Sequence, residues 1–196
     1  MIDFPKAKLY IIHLLDTHLS SEFLYHDIAH TKDVFESVTR LAELAKVSEH
    51  DLMLLQTAAM YHDAGLMEVI DDHEDKGVEL IRKVLPDFGY SNDDIDVIAR
   101  MVMSTKLPQS PKDKLSELLC DADLDYLGRD DFFLRGAKLH LEWKRMNIAD
   151  IPFNEWIVLQ RTFLKSHSFF SDAAKKLRDK GKMENLKQLE NICNTN

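Results

Sequence analysis

The sequence predicts an all-α protein, a single compact helical bundle, on three observations. Apolar residues recur at helical spacing through successive segments. Capping and turn residues punctuate the intervals between them, and no polar–apolar alternation is long enough for a sheet strand. A first helix is predicted over 6–18, broken by Ser20-Ser21. The second, 28–45, places Val34, Val38, Leu41, Leu44 and Ala45 on one stripe. Ser48 precedes a third over 51–64, with Glu49 and Asp51 at its positive end and Gly65 where a C-terminal cap belongs. Further helices are predicted over 74–84, 93–104, 113–127 and 132–145, with a last pair over 154–165 and 171–190 and fraying from Asn191. Leu107-Pro108 and Ser110-Pro111 end one element and open the next.

With 196 residues the chain suits one domain with a well-buried core. A hydrophobic fraction of 45% and a charged fraction of 30% fit an ordinary globular protein. Its 34 acidic against 25 basic residues give a net charge of −9, which repels phosphate backbones and argues against nucleic acid as the main partner. Cys120 and Cys193 form no CxxC unit, so reduced thiols and a cytoplasmic location are expected. The stretch LYIIHLL is too short and polar to span a bilayer, and no small-residue cleavage site follows, so neither membrane insertion nor secretion is expected.

Nine histidines direct attention to ligand spacing. In YHDIAHT, His26 and His30 stand four apart and share a face if the helix begins early enough; otherwise one caps and the other is solvated. In LLQTAAMYHDAG, His62-Asp63 closes an apolar helix, where an unpaired carboxylate is costly and needs a cation or several donors. Imidazole nitrogen with carboxylate oxygen suits a divalent metal, although an acid that merely fixes its neighbouring histidine has the same sequence. In LLCDADLDYL three acids alternate within an apolar stretch, so at least one faces inward. Asp121 aligns with Leu118, Leu124 and Asp125, whereas Asp123 points about 160° away around a helix axis. Asp121 is therefore the preferred inward acid and Asp123 the alternative.

In this order, H…HD…D, the segments YHDIAHTKDV, AAMYHDAG, HEDKGVELI, IARMVMSTKLPQSP and LLCDADLDYLGRDDF resemble the HD-domain superfamily of metal-dependent phosphohydrolases across residues 20–135. The resemblance implies a helical bundle around one metal centre. It implies His30, His62, Asp63 and Asp121 as ligands, with Asp123 the alternative because DADLD offers two placements. It also implies His26 as proton donor to the leaving oxygen.

The activity implied is hydrolysis of a nucleotide or other small phosphate ester by metal-activated water. Mn, Fe, Co, Ni, Zn or Mg suits this mixed N/O donor set. Lys106, in STKLP, is the candidate phosphate anchor, against a plain solvated lysine. His73-Glu74 offers extra polar contacts or a second ion, against simple decoration of a helix start. Arg129 is expected to meet phosphate or Asp130, and His167 to be a satisfied core histidine. Competing expectations are a catalytically silent metal- or nucleotide-binding module and a two-iron oxygenase. The latter needs ligands that His73 supplies only in part.

Overall fold

Short polar side chains set where the helices begin. In the computed structural model, which describes residues 1–194, Asp3 accepts the Lys6 N–H at the head of α1 (Phe4–His18). Asp27 accepts the His30 N–H at α2 (Ile28–Ala45), and Ser48 that of Asp51 at α3 (Glu49–Tyr61). After α4 (His73–Val84), Ser91 and Asp94 cap α5 (Asn92–Ser104) reciprocally, and Asp113 caps α6 (Lys114–Asp123). The chain continues through α7 (Phe132–Arg145), α8 (Phe153–Ser166) and α9 (Asp172–Asn194). No strand occurs among the described residues, so the all-α class holds.

Two helices stop earlier than their sequences predict, and both stops matter to the site. The helix predicted over 51–64 ends at Tyr61, followed by a 3-10 turn, Ala64–Met67. Gly65 serves close packing there: a Cβ on it would lie 1.9 Å from the His73 carbonyl oxygen. The helix predicted over 113–127 ends at Asp123 and passes into a 3-10 turn, Asp125–Gly128. At the other end of the chain, α9 runs past Asn191 to Asn194, and the remainder of the predicted frayed end lies outside the described residues.

One apolar core runs from Ala7 and Ile11 through Leu41, Leu55 and Ile98 to Leu118, Leu119 and Leu189. Within it α6 is flanked by α2, α3 and α5, while its C-terminal part also meets the segment leading into α9. That arrangement gives α6 two buried faces. His167 is packed between Phe163 and Phe169, but neither ring nitrogen meets a partner, unlike the satisfied core histidine expected. Burial, and then the Lys182 charge, pull its pKa down to about 4, so it stays neutral.

The last helix docks by backbone approach and a buried ion pair. Arg178 donates to both oxygens of Asp125, at 2.7 and 2.8 Å, and Asn185 donates to the carbonyls of Leu127 and Arg129. A Cβ on Gly181 would fall 2.2 Å from the Gly128 carbonyl oxygen. Gly181→Ala is therefore expected to lower stability by about 2–3 kcal/mol in urea denaturation, since neither backbone can yield cheaply. Lys180→Ala, on the exposed side of the same helix, is expected to stay within about 0.5 kcal/mol of the parent.

Candidate metal centre

The ends of three helices meet at one point. His30 lies in the first turn of α2, placed by the Asp27 cap that holds its own N–H at 2.8 Å. His62 and Asp63 follow the last residue of α3, where the turn swings both side chains inward. Asp123 is the last residue of α6. His30, His62 and Asp123 each offer a donor atom within 4.8 Å of the others. Asp63 Oδ2 lies 3.0 Å from His62 Nε2 and 3.4 Å from His30 Nε2.

The hydrogen bonding leaves this group short of positive charge. His62 Nδ1 lies 2.9 Å from the Ala59 carbonyl, which can only accept, so Nδ1 carries the proton. In the neutral ring Nε2 then presents a lone pair toward His30 Nε2 at 3.3 Å and Asp123 Oδ1 at 3.5 Å. Asp63 Oδ2 is buried and receives no well-formed hydrogen bond. Burial disfavours the charged form of His62, but Asp63 and Asp123 outweigh it and raise its pKa well above the usual range. Burial likewise opposes ionisation of the two carboxyls, yet the imidazole charges hold both below their usual range. Buried carboxylates and imidazoles that converge in this way call for a cation, either a proton on the imidazoles or a metal ion in its place, and two imidazoles with two carboxylates are a donor set that divalent transition metals accept. The residues fit a metal.

Asp121 is not among them, which corrects the preferred assignment. Its carboxylate is fully buried but accepts the backbone N–H groups of Phe170 and Ser171, both at 2.8 Å, on the opposite side of α6. The helical-face reasoning identified an inward acid correctly; it failed because α6 has two inward faces. Asp123, the alternative, faces the histidines, and Gln109 Nε2 approaches its other oxygen at 3.5 Å.

His26 precedes α2 and does not share its helical face with His30; the two rings still meet edge to face, centroids 5.6 Å apart. Its anchor is Glu142 of α7, which sequence reasoning missed. Glu142 Oε2 accepts the N–H groups of Tyr25 and His26 at 2.7 and 3.0 Å, and Oε1 lies 2.5 Å from His26 Nδ1. Burial lowers the His26 pKa, but the Glu142 hydrogen bond and the carboxylates of Asp63 and Asp123 raise it on balance. In HLEWK, Glu142 adjoins a leucine with half its surface exposed, so the local pattern carries no sign that this acid is buried.

The remaining candidates divide. His73 Nδ1 donates to the Ile70 carbonyl, and Nε2 lies 3.5 Å from Asp63 Oδ1 and 3.6 Å from Glu74. Burial opposes its charge, but Asp63 prevails and lifts its pKa to about 9. Lys106 pairs with Asp72 at 2.5 Å, beside His73, on the outer side of the cluster. Arg129 meets Asp33 and Asp131 rather than Asp130. Cys120 is buried next to the site and both cysteines are free; burial pushes the Cys120 thiol up to about 12, keeping it protonated.

Comparisons with known proteins show the family and the fold. The HD domain family model matches residues 27–126, just over half of the chain. No curated protein matches. The crystal structure of a predicted HD superfamily hydrolase from an uncultured Thermotogales bacterium is similar over 94% of this chain and 90% of that one, with a TM-score of 0.63 and 19% identity. A Lactobacillus plantarum protein of known structure is similar over 100% of both chains, with a TM-score of 0.69 and 17% identity. At such identities the likeness is one of fold, and it agrees with the motif order and the helical frame: the chain belongs to the HD domain family.

Proposed function

We propose that the chain, acting as one domain, is a metal-dependent phosphohydrolase for a nucleotide or other small phosphate ester. The observation that carries this reading is the convergence of His30, His62, Asp63 and Asp123 around a buried carboxylate oxygen without a proper hydrogen bond. The Thermotogales neighbour, a predicted HD superfamily hydrolase, supports the reaction class. A divalent ion held by these four residues would lower the pKa of a bound water and neutralise charge on a phosphoryl oxygen.

The protein's own groups do the rest. His26 donates a proton to the leaving oxygen. Glu142 occupies its Nδ1, which leaves the Nε2 proton for transfer and fixes the ring at the cleft. Lys106 contacts substrate phosphate after leaving Asp72, an exchange that costs little because the pair is exposed. Tyr25, buried against His30 and Tyr126, forms an apolar wall that keeps bulk water from the histidine pair.

Three outcomes test the reading. Asp123→Asn is expected to strip bound metal and hydrolysis with helix content intact. Asp121→Asn should retain metal by elemental analysis and lose about 1–3 kcal/mol of stability, because one backbone N–H loses its acceptor. The reverse ranking would return Asp121 to the site. His26→Ala is expected to keep its metal and lose about 10²–10⁴-fold in rate on substrates with poor leaving groups. The loss should be much smaller for p-nitrophenyl phosphate, whose leaving group needs little protonation; equal losses sink the acid role.

The pH profile supplies the third. A proton donor must be protonated, so rate falls as pH rises through its pKa, and the Glu142 carboxylate at Nδ1 favours the protonated His26 ring. Glu142→Gln removes the adjacent negative charge and should move the limb to lower pH. A limb that stays in place assigns it to another group.

A further inference from the structure

Away from the candidate metal centre, α7, α8 and α9 line a small, half-open chamber of about 70 Å³. Its walls are mostly apolar, with Phe132, Phe153, Trp156 and Ile157 around the space left by Gly136. Two polar atoms stand near the space: Trp156 Nε1, 4.0 Å from where a Gly136 Cβ would lie, and the Gln160 amide oxygen. Gln160 is 6% exposed, and its amide oxygen is buried and meets no donor among the protein's groups. That oxygen lies toward Gly136, where a Cβ would stand 3.3 Å from it. Phe153 and Ile157 also line an outer, half-open groove of about 440 Å³, with Val158 and Arg161 on its wall. Chamber and groove therefore share the wall formed by Phe153 and Ile157.

The dimensions and chemistry narrow the occupant. A buried amide oxygen without a donor is costly, so the ligand must bring an O–H or N–H to it. Apolar walls disfavour a full charge at the inner end. An aromatic ring is too large, since a protein cavity that takes benzene measures about 150 Å³. Water fits by volume, but a buried water seeks about 2–4 polar partners and the chamber wall offers few. We propose that this chamber binds a short aliphatic alcohol, its hydroxyl donating to Gln160 Oε1 and its alkyl chain lying along Phe153 and Ile157 into the outer groove. The same helix α7 that lines the chamber with Gly136 carries Glu142 to the cleft. Pocket and metal centre are thus joined by one rigid element.

The test uses the full chain and two isomers, 1-butanol and methyl propyl ether, which share atoms and size but differ in the donor. In amide-detected NMR titrations, 1-butanol should shift the Gly136 and Gln160 signals saturably, and the ether should bind at least about tenfold more weakly, the worth of one hydrogen bond. Gln160→Met keeps the length of the side chain without the acceptor and should bind both isomers alike. Gly136→Ala narrows the chamber and should weaken 1-butanol about tenfold as well, which keeps the test open if the first variant folds poorly. Equal binding of the isomers by the parent chain overturns the proposal. So does a preference that survives Gln160→Met, or a titration that never saturates because water alone occupies the chamber.

Discussion

Three carboxylates at the end of α6, two residues apart, hold the structure together by facing three different sets of donors. Asp121 takes two backbone N–H groups at the entry to α9, Asp123 faces the histidine pair, and Asp125 takes the Arg178 guanidinium. A buried carboxylate is tolerable only when donors or a cation surround it, and no single set of donors could serve all three. The chain meets this requirement by ending the helix at Asp123. Its successor turn rotates Asp125 toward α9 and leaves Asp121 and Asp123 on opposite sides of the axis. The candidate metal centre and C-terminal docking are consequences of one local sequence.

The two outer carboxylates have N–H donors as partners, whereas the central one faces imidazole nitrogens. Asp121 and Asp125 are matched by N–H groups in good geometry. Asp123 and Asp63 face imidazole nitrogens that themselves need a proton or a metal. The difference separates a fold-holding acid from a candidate metal ligand more clearly than burial does, since Asp121 is the more deeply buried of the pair. It also accounts for the opposed directions of their pKa shifts. Burial dominates at Asp121 and raises its pKa, while at Asp123 the histidine interactions overcome burial and lower it.

Glu142 plays the corresponding part beside His26. One side chain accepts two backbone N–H groups of the 25–26 segment and the His26 ring nitrogen. The segment before α2 lacks helical hydrogen bonds of its own, so this single acid substitutes for them and fixes the histidine in the same act. The arrangement couples α7, and through it the aromatic contacts of Trp143 and His140 with Trp156 on α8, to the geometry around the metal centre.

Helical periodicity and caps made the nine α-helices among the described residues legible in the sequence, because they depend on neighbours within four residues. His30, His62 and Asp63 were legible for a related reason: their order and spacing place them at helix ends whatever the rest of the chain does. Other features were decided by contacts between distant segments. Whether α6 had one buried face or two depended on where residues 170–171 would lie, so periodicity could rank Asp121 above Asp123 but not assign their partners. Glu142 reaches Tyr25 and His26 across more than a hundred residues, and Gly65 and Gly181 matter for backbones they meet only after folding. Local sequence determined which side chains were available at which helix ends; tertiary packing decided which buried charges would meet, because electrostatic and hydrogen-bond partners act through space and leave no periodic trace along the chain.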